Sequence, residues 1–179
     1  PLKIEAAITP ETSAIFPVHS YGIPCDVEAI DKIASKHKLK VIYDAAHAFG
    51  VENPSGSILN HGDFSVLSFH ATKVFNTFEG GAVICPDENS KHQLDQLKNF
   101  GFQDELNLVD IGLNGKMSEL NAAFGLLQLK YVDGLISKRA EIARHYLELL
   151  NDIEGIKPFD FTVQLKSNFS YFPIIIEES

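Results

Sequence analysis

Asp44, Ser68 and Lys73 are the residues whose type and place could do chemistry. Asp44 directly follows a short apolar β-type run at 41–43. Ser68 lies near the end of a second run at 64–69, with Lys73 a short step beyond it. A carboxylate, a hydroxyl and an amine gathered at strand ends could serve acid–base or nucleophilic chemistry. A lone Asp after a strand is more simply a helix or turn cap, and a lone lysine is plainer still. Lys73 stands out by its setting, Ser68-Phe69-His70-Ala71-Thr72-Lys73 and then Glu79-Gly80-Gly81, where small and hydroxylated residues let a bulky planar group come close.

The elements around these residues alternate. A β-rich run at 13–18 ends in the turn His19-Ser20-Tyr21-Gly22. Asp26 then caps a helix in which Val27, Ile30, Ile33 and Ala34 repeat at helical spacing up to His37. The strand at 41–43, a Pro/Ser/Gly/Asn loop, the strand at 64–69 and another at 80–85 follow. The order β, α, β, loop, β argues for an α/β fold with a mostly parallel sheet flanked by helices and with ligands at the carboxyl ends of its strands. Pro86 and Asp87 open a polar helix through Leu97, and a glycine-rich irregular stretch comes next. From Ser118, Leu120, Ala123, Phe124, Leu127 and Tyr131 keep one helical face, which resumes at Ile136 after an interruption near Asp133 and Gly134. One long or two consecutive helices thus fill 117–152. A loop past Gly155 and Pro158 leads to a last strand at 168–176 that has no obvious partner.

Composition narrows the function classes. The chain has 179 residues, 45% hydrophobic and 22% charged, which suits one globular domain burying roughly two thirds of its unfolded surface. With 24 acidic against 15 basic residues it is a poor partner for nucleic acid. No apolar run nears the roughly 18 to 20 residues of a membrane span. Cys25 and Cys85 form neither a zinc motif nor a disulfide framework, and this favours a reducing, cytoplasmic setting.

Four segments, in this order, resemble a known family. They are Pro-Val-His-Ser-Tyr-Gly-Ile-Pro-Cys-Asp at 17–26, Asp-Ala-Ala-His-Ala-Phe-Gly at 44–50, Ser-Phe-His-Ala-Thr-Lys at 68–73 and Gly-Leu-Asn-Gly-Lys-Met-Ser-Glu at 112–119. Any one is weak; together they are similar to the DegT-like (DegT/StrS) sugar aminotransferases, pyridoxal-phosphate enzymes of fold type I. The resemblance implies that the chain is the large domain of such an enzyme, incomplete at both ends, with residues 1–152 in that domain and 153–179 starting a small C-terminal domain. It implies that Lys73 binds the cofactor aldehyde covalently and moves the proton in transamination, that Asp44 keeps the pyridine nitrogen protonated, and that Ser68 donates to the phosphate. His47, placed one helical turn beyond Asp44, matches the position that contacts the phenolic oxygen, where many relatives carry Gln. Asn114 matches an Asn that reaches the phosphate of the adjoining subunit, which implies a homodimer with shared sites.

Dehydratase relatives replace the lysine by histidine, so retention of Lys73 points to transamination. The implied reaction moves an amino group, from a donor such as glutamate, to a keto group of a nucleotide-linked deoxysugar, in making amino sugars for a surface polysaccharide or a natural product. Two alternatives stay open: another keto substrate such as a cyclitol, and a non-catalytic fragment that keeps only self-association. His70 and Thr72 read equally as site or turn residues. His19 reads as a satisfied structural histidine, Ser118 with Glu119 as a helix cap, and Lys138, Arg139 and Arg144 as a solvated helix face.

Overall fold

The computed structural model describes residues 1–159 and 166–177. In chain order its elements are α1 (Leu2–Ala6), β1 (Ala14–Ile15), α2 (Val27–His37), β2 (Lys40–Asp44), β3 (Glu52–Asn53), β4 (Gly56–Ser57), β5 (Phe64–Ser68), β6 (Gly81–Ile84), α3 (Glu88–Leu97), α4 (Glu119–Gln128), α5 (Val132–Leu150), β7 (Ile156–Pro158) and β8 (Ile174–Ile176).

A four-stranded sheet runs β1-β2-β5-β6. β1 and β5 both lie parallel to β2, and β6 closes the far side antiparallel to β5, so the expected mostly parallel α/β sheet is what forms. Asp63 fixes where β5 starts: its carboxylate accepts from the Val41 amide at 2.8 Å and from Lys40 Nζ at 2.6 Å, while its own amide donates to the Val41 carbonyl. The register that follows sets Asp44 opposite Val66. Side chains alternate across a strand. Val41, Tyr43, Ser65 and Leu67 therefore go inward, while Ile42, Asp44, Val66 and Ser68 share the other, more open face.

α2 forms where its cap and periodicity place it. The Asp26 side chain accepts from the Ala29 amide at 3.0 Å, and Lys38 in the left-handed region ends the helix. Its buried face packs in one core with Ile15, Val41 and Tyr43. On the same side of the sheet as Tyr43, the His19 ring stacks on the Tyr43 ring at 4.6 Å and 9°. Its Nδ1 accepts from the Cys25 amide, so the neutral ring keeps its proton on Nε2, which has no partner among the described residues. His19 is structural, as expected, but only half satisfied.

The helices and the end of the chain differ from the sequence reading in two places. The break between α4 and α5 falls at 129–131, where turns from Lys130 to Leu127 and from Tyr131 to Gln128 close the first helix; Asp133 and Gly134 lie inside the first turn of α5. A first turn tolerates glycine and favours an acidic side chain. The last strand is shorter than 168–176 and does have a partner: β8 pairs antiparallel with β7, which the sequence reading takes as part of a loop. The middle of that loop, 160–165, lies outside the described residues. Among the described residues no helix is long and apolar enough to cross a membrane.

Burial above all, and then the charge of His61, push the His19 imidazole down to about 4, against the pull of Asp44. In the unfolded chain the same ring protonates near 6.5. The unfolded state then binds more protons between those values, and stability drains away as pH falls from about 6.5 towards 4. The melting temperature of the wild type should accordingly fall more steeply from pH 7 to pH 4.5 than that of His19→Gln, which has no such proton. Parallel curves would exclude His19 as a source of acid sensitivity.

Candidate active site

The carboxyl ends of β2 and β5 bring Asp44 and Ser68 to adjacent strands on one face. The next residues of each strand turn away at once. The 45–50 segment is two tight turns rather than the helical turn expected to carry His47: the Ala48 amide bonds to the Ala45 carbonyl and the Val51 amide to the Ala48 carbonyl. Ala45, Ala48 and Val51 of these turns are fully buried. The Ala46 amide donates to Asp44 Oδ1 at 3.0 Å, which orients the carboxylate and leaves Oδ2 without a bond among the described residues.

His47 projects from this turn into the electrostatic reach of both Asp44 and Lys73. Burial first, and then the Lys73 ammonium, hold its imidazole below the ordinary histidine range, with Asp44 pulling the other way. Neither Asp44 nor Lys73 forms an ion pair among the described residues.

Lys73 sits in a loop that leaves β5 and returns to β6. Its amide donates to the His70 carbonyl, the Thr77 amide closes the loop onto the Phe69 carbonyl, and the Phe69 amide reaches Gly80. The loop is anchored from within. The Phe75 ring stacks on Phe49 at 4.5 Å and 14°, and meets Phe69 edge-on at 4.8 Å. Because Phe49 belongs to the turn after β2, this cluster joins the Lys73 loop to the His47 turn. Thr77, buried, donates to the Glu79 carbonyl, which also accepts from Asn121 of α4 at 2.8 Å. Gly80, at φ +154°, has room for no Cβ beside Thr77 Oγ1 and Met117, so the tight turn read from Glu79-Gly80-Gly81 depends on it. His70 and Thr72 bond to one another, the Thr72 amide donating to His70 Nδ1, and so serve the turn.

Asn114 is not brought to these residues within the chain. It lies exposed in the 98–117 stretch, paired with Asn99 through the backbone. Other residues do reach the site. Asn168, buried, donates from Nδ2 to the carbonyls of His47 at 2.7 Å and Phe49 at 2.9 Å. The Tyr171 ring lies 4.7 Å from that of His47. Arg139, read from sequence as solvated, donates from Nη1 to the carbonyls of Phe169 and Ser170. No local pattern announces these contacts, which cross from one end of the chain to the middle.

Comparison with known proteins bears on this arrangement. A family model described as the DegT/DnrJ/EryC1/StrS aminotransferase family matches residues 1–179. The chain is 61% identical over 175 residues to the dTDP-4-amino-4,6-dideoxy-D-glucose transaminase of Shigella dysenteriae, and 53% identical over 177 residues to that of Escherichia coli, covering 98% of this chain and 48% of each relative. It thus spans about half the length of these relatives. Among solved structures, the Helicobacter pylori aminotransferase PseC, involved in pseudaminic acid biosynthesis by its description, superposes with a TM-score of 0.93 at 31% identity over 99% of this chain and 49% of the other. DesI, determined with its TDP-sugar product, superposes with a TM-score of 0.92 at 37% identity over 99% and 45%.

The aromatic junction makes a stability test of how the site is held. Phe75→Ala removes the ring that joins the two turns and should destabilise the protein by about 3–5 kcal/mol, as large-to-small changes in a packed core do. Denaturant unfolding measures it; a loss below about 1 kcal/mol would mean that the loops hold their places without this cluster.

Proposed function

The chain belongs to the DegT/DnrJ/EryC1/StrS aminotransferase family, and from that premise we propose that the whole protein is a pyridoxal-phosphate transaminase acting on a nucleotide-linked deoxysugar. The observation that carries the reading is the meeting of the Asp44 carboxylate and the Ser68 hydroxyl on one open face, with the amine of Lys73 in the loop just beyond, Asp44 and Lys73 forming no ion pair among the described residues. The donor set fits the cofactor: an amine for its aldehyde, a carboxylate for its ring nitrogen, a hydroxyl for its phosphate, and the small side chain of Ala46 next to that carboxylate.

Pyridoxal phosphate, when bound, supplies an aldehyde for an amine to join and a ring that withdraws electrons from the attached carbon. Lys73 Nζ, which has no ion-pair partner among the described residues, would hold that aldehyde and could then serve as the base for a proton of the amino donor. Asp44 Oδ2 would accept a charge-assisted hydrogen bond from the ring N–H and so hold a proton there, while the Ala46 amide on Oδ1 keeps the carboxylate from rotating away. The Ser68 hydroxyl would donate to the phosphate. The neutral His47 imidazole would present its N–H to the phenolic oxygen.

The acceptor follows from the relatives. The Shigella and Escherichia transaminases are named for a dTDP-linked 4-amino-4,6-dideoxyglucose, and the high identity to them supports the corresponding 4-keto sugar as substrate; the amino donor proposed with it is glutamate. Asn114 would complete a phosphate site across a homodimer. Support comes from exposed apolar side chains in the same 98–117 stretch and in the helix after it, Leu106 and Ile111 at 92% and 93% and Leu120 at 82%. Residues 153–179 would begin the small domain, consistent with β7 and β8 forming a sheet of their own.

Borohydride reduction of the whole protein with bound cofactor should fix the label on the peptide containing Lys73; label on Lys116 or any other lysine would overturn the assignment. Asp44→Asn should still bind the cofactor and lose transamination by about two orders of magnitude or more, because a neutral amide cannot hold the ring proton by charge. Turnover near that of wild type in a coupled glutamate assay would rule out its role.

A further inference from the structure

We propose that the segment from Asn168 to Tyr171 positions His47 for the cofactor, Asn168 by fixing the backbone of its turn and Tyr171 by flanking its ring. This rests on the cofactor reading above and adds residues to it that the four family-like segments do not contain.

Asn168 is 1% exposed and every polar atom of its side chain is engaged. Both Nδ2 hydrogens go to one turn, to the carbonyls of His47 and Phe49, and Oδ1 accepts from the Ser170 amide at 2.9 Å. A buried amide spent on two carbonyls fixes the position of the turn that carries His47, since releasing either leaves a polar group unsatisfied. Gly22 leaves room for this contact: a Cβ there would come within 2.7 Å of the His47 carbonyl and 3.0 Å of Asn168 Oδ1. The imidazole itself is flanked by Tyr171, tilted 52° at 4.7 Å, and Tyr171 is met edge-on by Tyr21 at 5.5 Å. Arg139 of α5 holds the segment down through the carbonyls of Phe169 and Ser170. The ring of His47 is thus placed by groups outside its own turn. The charged groups it feels are Lys73 and Asp44, and the titratable groups packed beside it are the phenols of Tyr171 and Tyr21.

The test uses the whole protein loaded with pyridoxal phosphate and follows the pH titration of the cofactor's visible absorption band. Asn168→Ala and Tyr171→Leu should each move the midpoint by about 0.5 pH unit or more, a roughly threefold change in the equilibrium. Tyr171→Phe, which keeps the ring, should restore the wild-type midpoint. A merely structural segment would lower the melting temperature and leave the midpoint where it was, and that result overturns the inference while the cofactor reading stands. If Asn168→Ala does not fold, Tyr171→Leu, at a half-exposed position, decides alone. A wild-type protein that develops no band with pyridoxal phosphate overturns the cofactor reading and this inference with it.

Discussion

The stacking of Phe49 on Phe75 is the contact on which the site depends. Each ring belongs to a turn leaving the carboxyl end of a parallel strand, and those turns carry His47 and Lys73. Parallel neighbours cannot be tied by a hairpin, so the loops at their ends have no covalent reason to stay together. Buried aromatic area supplies one. A stacked pair with Phe69 edge-on gains packing beyond plain area burial, and it fixes distance and angle as a single hydrogen bond would not. Thr77 and Asn121, converging on the Glu79 carbonyl, then close the Lys73 loop from the side of α4.

Below that junction the sheet does the sorting. One register, pinned where Asp63 bonds to Lys40 and Val41, decides that Asp44 and Ser68 share a face and that Tyr43 does not. A slip by one residue would send Asp44 into the core against α2, where an unpaired carboxylate is too costly to keep charged. The inward face takes the rings of Tyr43 and His19. The outward face keeps Asp44 Oδ2 without a bond among the described residues and Ser68 Oγ with only a long 3.4 Å contact from the His70 amide, the condition in which they can bind something else.

Local signals explain how much could be read in advance. Asp26, the apolar spacing behind it and Lys38 define α2 within a few residues, and Asp44, Ser68 and Lys73 are placed by simple strand-end logic. What escaped has longer-range causes. Gly134 looks like a breaker because propensity is a local average, yet the first turn of a helix accepts it. β8 lacks a visible partner because β7 is only three residues long and contains a proline, so no alternation marks it. The roles of Asn168, Tyr171 and Arg139 rest on contacts with residues far away along the chain, and no periodicity encodes them. The compact turn after Asp44 reads as helical because Ala-Ala-His-Ala has good helix propensity, and tertiary packing of three buried residues overrides it.

His47 shows how the same site could be built with a different side chain. The resemblance implies that many relatives carry a glutamine there, a group that never ionises and offers both a donor and an acceptor. An exposed histidine would differ, since near neutral pH it is partly cationic and offers two donors with no acceptor. Burial and the nearby Lys73 ammonium remove that difference by holding the ring neutral. In that state one nitrogen donates and the other accepts, the same inventory as the amide. The substitution is then tolerable only while the ring stays partly buried and close to Lys73, and the turn beneath it is held where it is by a carboxamide that arrives from the other end of the chain.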